Sequence, residues 1–388
     1  MLKYTVTVNV TRQDLSRIPS DTTELYFEYD FDQTIKVGEL PLSLKNLVLS
    51  SGFNSEIELG AIPEGLEEIN FGCDFNQPIV PGLLPSSLKR MQLSLNFNQK
   101  LDIGSIPEGI EEIRFGCDFN RPIVPGLLPK SIKKIILSYA FSQELEIGSI
   151  PDGTEEIKFN HIFNNCIAPG LLPKSIKKIN MSYTFNQELE IGSIPDGTEE
   201  INFGYVFNQL IVPGLLPNSI KKIHLSNNFN QNLDIGSVPE GTELIDFGYC
   251  FNRSIVPGLL PNSTKKIILS YAFNKQLEVG SIPGGLQEIE INRRYNGTFE
   301  NIPKTAKIIS QNHIPDIKYT LICPKDRMDR NKSEIGDNYK FGDVYSYHKY
   351  IAVDVEPIKR TIKVDYETLE SIQKTISALR QEIDKLKQ

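Results

Sequence analysis

The stretch that decides the fold runs from Phe75 to Asp118 and reads FNQPIVPGLLPSSLKRMQLSLNFNQKLDIGSIPEGIEEIRFGCD. Its second half repeats the pattern of the first, and the next residues, FNRPIVPGLLPKSIKKIILS, begin it again. A phenylalanine recurs every 22 residues from Phe31 to Phe273, with glycine seven and proline ten residues after each one, in all twelve units. A fixed period of this length is typical of proteins built from stacked coils, in which one unit is too short to fold alone.

Each unit carries apolar residues at positions +4, +9, +13, +16 and +18, counted from its phenylalanine. Positions +16 and +18 face the same side of a strand because they are two residues apart. Glycine at +7 permits positive φ and proline at +10 lacks an amide donor, so the rest of the unit is predicted to be turns and irregular or polyproline-like chain. The sequence therefore predicts a β-rich repeat solenoid with one parallel sheet.

Two unlike units alternate along the chain. Positions +14 and +15 are Lys89-Arg90 in one unit and Glu111-Glu112 in the next, so the full repeat is 44 residues. Opposite charges on adjacent strands contribute about 0.2–1 kcal/mol per pair, whereas like charges repel. We expect a self-neutralising face that also fixes the register, with a recognition surface as the alternative interpretation. Position +12 alternates between serine and glycine as well, which indicates two turn geometries.

Residues at equal positions should stack about 4.8 Å apart. The phenylalanines then form a buried spine. The asparagine that follows most of them is interpreted as an amide ladder that satisfies backbone groups, with a polar binding stripe as the alternative.

The recurring pattern FNxxIxxGxLPxSLxxLxL resembles the FNIP repeat, a leucine-rich-repeat-like unit abundant in slime moulds and in giant viruses of amoebae. The resemblance implies a 22-residue leucine-rich-repeat-like coil and a binding module without shared catalytic residues. FNIP repeats often follow an F-box, which implies a substrate-recognition subunit of a ubiquitin ligase as the second hypothesis. The residues before Phe31 read instead as a worn repeat, which weakens that hypothesis.

The predicted organisation has five parts. An N-terminal strand and a degenerate capping repeat occupy residues 1–30, twelve repeats occupy 31–294, and a degenerate terminal repeat occupies 295–315. Residues 316–364 are interpreted as a small cap or neck. In residues 365–388 apolar side chains recur with the spacing of a short coiled coil, which predicts a helix that joins copies of the chain; packing of that helix on its own solenoid is the alternative. The seam residues are Leu369, Ile372, Ile376, Leu379, Ile383 and Leu386.

Composition argues against several classes of function. A net charge of −8 offers no basic face for nucleic acid, and no apolar run is long enough to span a membrane. The five cysteines include no C-x-x-C pair, and the four histidines are scattered, so neither a metal nor another cofactor is expected. We expect a cytoplasmic protein with a protein partner, no nucleic-acid partner and no membrane association.

Position +17 varies on an otherwise uniform scaffold, and position +20 is often tyrosine, a frequent interface anchor. These two columns are the candidate partner-binding residues. They are Gln92, Arg114, Lys158, Asn180, Asn202, His224 and Asp246 at +17, and Tyr139, Tyr183, Tyr205, Tyr249 and Tyr271 at +20.

No convergent acid, base and nucleophile stand out, because the repeats offer the same groups in every coil. The chain is therefore interpreted as a non-catalytic interaction protein or scaffold. A β-helix enzyme acting on glycans is the third hypothesis, and the lysine pairs that flank each glutamate pair argue against it.

Overall fold

The computed structural model describes residues 7–10, 15, 18–27 and 31–311. These residues form a parallel β-solenoid of about thirteen coils, whose fifteen strands lie in chain order in one sheet. The strands are β1 (Thr7–Val10), β2 (Glu24–Phe27), β3 (Asn46–Val48), β4 (Glu68–Asn70), β5 (Arg90–Gln92), β6 (Glu112–Arg114), β7 (Lys134–Ile136), β8 (Glu156–Lys158), β9 (Lys178–Asn180), β10 (Glu200–Asn202), β11 (Lys222–His224), β12 (Leu244–Asp246), β13 (Lys266–Ile268), β14 (Glu288–Asn292) and β15 (Lys307–Gln311).

The register of the sheet follows the 22-residue period. Position +16 of each strand pairs with +16 of the next, as Ile201 does with Ile223, and both side chains are buried. Positions +15 and +17 point to the opposite, outward face of the sheet. The pairings at the two ends, Thr7 with Glu24 and Glu288 with Lys307, join coils that are shorter than 22 residues.

The phenylalanines form the predicted buried spine. Rings of successive coils stack with centroids 5.9 Å apart for Phe53 and Phe75 and 6.5 Å apart for Phe119 and Phe141. In alternate coils a second phenylalanine at +18 packs on the spine, as Phe71 does on Phe75 at 4.7 Å. The spine ends at Tyr295, which stacks on Phe273 at 5.9 Å.

The two coil types differ at the turn that follows each strand. We call them serine coils and glycine coils after position +12. In a serine coil the hydroxyl at +19 donates to the carbonyl of the coil's own phenylalanine, as Ser50 does to Phe31 at 2.6 Å. In most glycine coils +19 is glycine, and a Cβ on Gly72 (φ 70°) would lie 2.1 Å from the Ser50 carbonyl oxygen. Asn160 stands at this position in one glycine coil, and its Nδ2 donates to the Leu137 carbonyl at 2.5 Å.

The side of the coil away from the sheet carries turns and irregular chain in the described residues, as predicted. One isolated parallel bridge occurs there, between Ile35 and Ile57. Neither of those two coils has proline at +6, whereas Pro81 and its equivalents occupy that position in every later serine coil. This agrees with the expected loss of ladder donors at proline.

Two predicted regions lie outside the described residues. These are the cap or neck at 316–364 and the helix at 365–388 with its apolar seam. The C-terminal helix therefore remains a prediction.

Candidate partner-binding face

The asparagine side chains form hydrogen bonds between adjacent coils. The Oδ1 atom of each asparagine accepts the backbone N–H of the asparagine one coil further on, at 2.8 Å from Asn76 to Asn54 and 2.9 Å from Asn98 to Asn76. The residue after the asparagine often adds a second bond, as Gln99 Nε2 does to the Asn76 carbonyl at 2.9 Å. These amides hold adjacent coils together, which confirms the structural interpretation of the column.

The ladder is interrupted at Ser142. The Ser142 N–H and hydroxyl both bond back to Asn120, at 3.0 and 3.3 Å, and serine has no carboxamide oxygen to offer to Asn164. The ladder resumes when Asn186 N–H donates to Asn164 Oδ1 at 2.8 Å. An open cavity of about 360 Å³ lies beside the interruption. It is lined by Glu144, Leu145, Asn164, Asn165, Cys166 and Gln187.

The charged pairs at +14 and +15 form the predicted alternating ladder on the outward face. At +15, Lys178 Nζ lies 2.6 Å from Glu200, and Lys134 Nζ lies 3.3 Å from Glu156. At the more exposed +14 position, the Lys221 ammonium donates to Glu199 at 2.8 Å, which lowers the pKa of that carboxyl. Most of the face is therefore neutralised locally.

The ladder is broken at β12, where Leu244 takes the place of a glutamate between Lys222 and Lys266. Each of these lysines instead lies close to the glutamate on the strand at its other side. Lys222 Nζ lies 3.8 Å from Glu200, and Lys266 donates to Glu288 at 2.7 Å.

In three glycine coils the glycine at +12 donates its N–H to the serine at +12 of the next coil. The Gly65 N–H donates to Ser87 Oγ at 2.9 Å, and the same hydroxyl donates to the Leu66 carbonyl at 2.7 Å. Gly65 has a φ of 105°, whereas no positive φ occurs at any non-glycine residue that the structure describes. The two turn geometries predicted for this position are thus linked across coils.

The variable column at +17 lies on the outward face, but its members differ in exposure. Lys158 is exposed, whereas Gln92 is only 1% exposed and offers almost no surface to a partner. Arg114 Nε bonds to Glu112 at 3.0 Å, and His224 Nδ1 lies 3.5 Å from Asp246. Asn180 and Asn202 are half-buried beside them.

The column at +20 contains a continuous stack of aromatic rings that includes a histidine. Tyr139, His161, Tyr183 and Tyr205 lie in consecutive coils, with successive centroids 4.4, 4.7 and 4.4 Å apart. We call these four residues the aromatic run. A second pair, Tyr249 and Tyr271, stacks at 4.9 Å, and the Arg294 guanidinium lies 5.1 Å above the Tyr271 ring.

Two ionisable groups at this place have shifted pKa values. Partial loss of hydration beside neighbouring side chains, together with the positive charges of Arg114 and Lys134, lowers the pKa of the exposed Lys158, and Glu156 opposes that shift. Burial also lowers the pKa of His161, whose two ring nitrogens are buried without a hydrogen-bond partner among the described residues. Both groups therefore lie in a partly dehydrated surface.

The remaining chemistry of the described residues is sparse. They contain no cluster of side chains that could hold a metal ion and no helix suited to crossing a bilayer. The cysteines described by the structure, Cys73, Cys117, Cys166 and Cys250, form no disulfide with one another.

Two of these features were not singled out from the sequence. His161 belongs to the tyrosine column, and its position at +20 was the available signal. Ser142 departs from the asparagine column in the sequence itself, but the cavity beside it depends on side-chain directions that the pattern does not contain.

Comparison with known proteins agrees with this geometry. The FNIP repeat profile matches six consecutive segments of about 44 residues, each holding one serine coil and one glycine coil: 31–74, 75–118, 119–161, 163–206, 207–250 and 251–294. The chain belongs to the FNIP repeat family. The third FNIP segment is one residue shorter than the others, and it ends at the coil that carries Ser142, Asn160 and His161.

Two of the matching solved structures are described as leucine-rich-repeat proteins. CroV588, described as a novel circular leucine-rich-repeat protein, has a TM-score of 0.68 and 26% sequence identity. The similarity covers 78% of this chain and 51% of CroV588, so the chain spans about half the length of that protein. A leucine-rich-repeat protein from Bacteroides ovatus has a TM-score of 0.23 and 15% identity over 76% of this chain and 82% of its own. No curated protein sequence matches the chain.

Proposed function

We propose that this FNIP solenoid is a non-catalytic protein-binding scaffold, and that its partner contacts the outward face at the aromatic run and the adjoining Lys158. A solenoid of FNIP repeats with a leucine-rich-repeat-like fold fits a scaffold or interaction role. The observation that carries the location is the uninterrupted stack of Tyr139, His161, Tyr183 and Tyr205.

Stacked rings suit binding because their positions are already fixed. Each ring of the run is held by its neighbours in adjacent coils, so little side-chain freedom remains to be lost when a partner docks. Tyrosine is enriched among interface residues that dominate binding energy, and a polar border around such anchors is typical. Lys158 and Asn180 supply polar groups of this kind beside the run.

Other parts of the outward face are less suited to binding a partner. The charged pairs of neighbouring strands largely neutralise one another, and exposed pairs of this type contribute little to specificity. Gln92 is buried, and Arg114 is engaged by Glu112. The aromatic run is therefore where the proposed contact is placed.

Affinity capture from the native cell, with the full chain as bait, tests this location. We expect a partner retained by the unchanged protein to be lost with Lys158→Glu and with Tyr183→Ala. Lys130→Glu, at an exposed turn away from the sheet, is the control with the same change of charge. Equal capture by all four proteins, each shown to be folded by its thermal midpoint, would contradict the proposal.

We also propose that residues 365–388 join copies of the chain. The apolar seam from Leu369 to Leu386 supports this, because a stripe with 3-4 spacing buries itself against a like helix.

A further inference from the structure

A second surface, on the side of the coil away from the sheet, carries an exposed apolar row. Position +6 is apolar in all twelve repeats: proline in the serine coils from Phe75 onward, and valine, leucine or isoleucine in the others. The aliphatic members are well exposed, for example Ile147 at 70% and Ile191 at 66%. We call this row of +6 residues the apolar ridge. Single exposed aliphatic residues are common, but a contiguous apolar patch generally marks a binding surface.

Most side chains of the ridge lie beside the +7 glycine of the next coil. A Cβ added to Gly104 would lie 3.5 Å from Pro81 Cβ, and one added to Gly126 would lie 3.9 Å from Ile103 Cδ1. Ile147 and Ile191 are exceptions, because a Cβ added to the +7 glycine of the next coil would meet nothing within 4 Å. The ridge residues that make this contact are also exposed, so packing on the next glycine covers only one side of them.

Carboxylates border the ridge at regular intervals. Position +5 is Glu or Asp in every glycine coil and valine or alanine in the serine coils from Phe75 onward. The carboxylates of Glu146, Glu190, Asp234 and Glu278 have no ion pair among the described residues. The backbone N–H of each is held by the serine at +8, as Glu190 N–H is by Ser193 Oγ at 3.0 Å. Because glycine coils alternate, these charges recur at roughly 10 Å.

The charge of this border identifies the kind of partner. On the outward face most acids pair with a lysine or arginine of an adjacent strand, whereas these four ridge acids have no ion pair among the described residues. Pairing two ridges about a two-fold axis would place acid beside acid, so a second copy of the chain fits poorly. An anionic lipid surface is disfavoured for the same reason. We propose that the apolar ridge docks a segment of a partner protein that combines apolar side chains with regularly spaced lysine or arginine.

This surface is independent of the aromatic run. The apolar ridge at +6 shares no residue with the aromatic run at +20 or with Lys158 at +17, so failure of one proposal leaves the other unaffected.

The test uses a short synthetic peptide of leucine and lysine as the probe, and the full chain as the receptor. Binding is measured by fluorescence anisotropy at low and at physiological salt. We expect the probe to bind, and we expect binding to fall when its lysines are replaced by glutamate or its leucines by serine. We expect about tenfold weaker binding to Glu146→Lys/Glu190→Lys and to Ile147→Ser/Ile191→Ser.

Asp152→Lys/Asp196→Lys is the matched control, because these exposed acids lie in the same two coils and give the same change in net charge. Equal weakening by the control would show attraction to net charge alone and would overturn the proposal. Binding that none of the variants alters would also overturn it. Light scattering of the receptor alone distinguishes a second copy as occupant: a dimer that Ile147→Ser/Ile191→Ser dissociates would replace the proposed partner.

Discussion

At the residue scale, Asn186 shows how the backbone and side chain of one residue together link three coils. Its N–H donates to Asn164 Oδ1 at 2.8 Å, its own Oδ1 accepts from Asn208 N–H at 2.8 Å, and its carbonyl accepts from Gln209 Nε2 at 2.9 Å. The asparagine column therefore joins successive coils by hydrogen bonds, in addition to the packing of the phenylalanine spine.

Replacing Asn186 by alanine should leave the Asn208 N–H without its acceptor. An unsatisfied backbone donor costs about 1–3 kcal/mol, so we expect a loss of that size in the free energy of unfolding measured with urea. The reverse change, Ser142→Asn, should supply the missing oxygen to Asn164 and raise stability by about 0.5–1.5 kcal/mol. Unchanged stability in both variants would show that the amides are not a stabilising ladder.

His161 should make stability depend on pH. Its pKa is lowered in the folded protein, so the unfolded chain takes up the proton first as the pH falls. Stability is then lost as the pH drops through the ordinary histidine pKa of about 6.5. Tyrosine occupies the neighbouring coils of the column and does not titrate there, so His161→Tyr should lose less free energy of unfolding between pH 7.5 and 5.5 than the unchanged protein. Equal losses would contradict the proposed burial of the imidazole.

At the scale of the element, each strand is only three residues long over most of the sheet, so its register depends on its neighbours. The alternating charges contribute here, because a strand displaced by one coil would meet its own sign. Lys178 in β9 lies between Glu156 and Glu200 at the same position of β8 and β10.

Lys178→Glu should therefore place three carboxylates side by side. We expect a loss of about 1 kcal/mol in the free energy of unfolding, which shrinks in high salt. Lys174→Glu in the same coil lies at an exposed turn and makes the same change in net charge. Equal effects of the two substitutions would show that the ladder does not set the register.

The sequence predicted the periodic parts of the structure because each column repeats. The parallel sheet, the phenylalanine spine, the amide ladder and the charge alternation all follow from residues at equal positions. Exposure within a column did not follow: Gln92 and Lys158 share position +17, yet the first is buried and the second exposed. That difference depends on the side chains of adjacent strands, which a single-column pattern does not contain. The exposure of the ridge at +6 escaped prediction for the same reason.

At the scale of the whole molecule, the solenoid should tolerate the insertion or deletion of two adjacent coils better than that of one coil. Deleting residues 163–206 removes one serine and one glycine coil and brings Glu156 beside Lys222. Deleting only 163–184 brings Glu156 beside Glu200 and separates Gly153 from the serine hydroxyl that accepts its N–H. We expect the single-coil deletion to have the lower thermal midpoint although it retains more of the solenoid. A midpoint that simply follows chain length would contradict this expectation.

The proposed association of copies is also tested on the whole chain. Light scattering of the full protein should give a mass above that of one chain, and a variant ending at residue 364 should give the mass of a monomer. A monomer in both cases would remove the proposed coiled coil.

The pairing of serine and glycine coils has a consequence for how such a chain can change over generations. Exchange between misaligned copies of its gene adds or deletes whole repeats, and a product that gains or loses an odd number of internal coils would place like charges on adjacent strands. Descendants should therefore differ in length by multiples of two coils. Serine and glycine coils should thus be gained or lost together as the gene evolves.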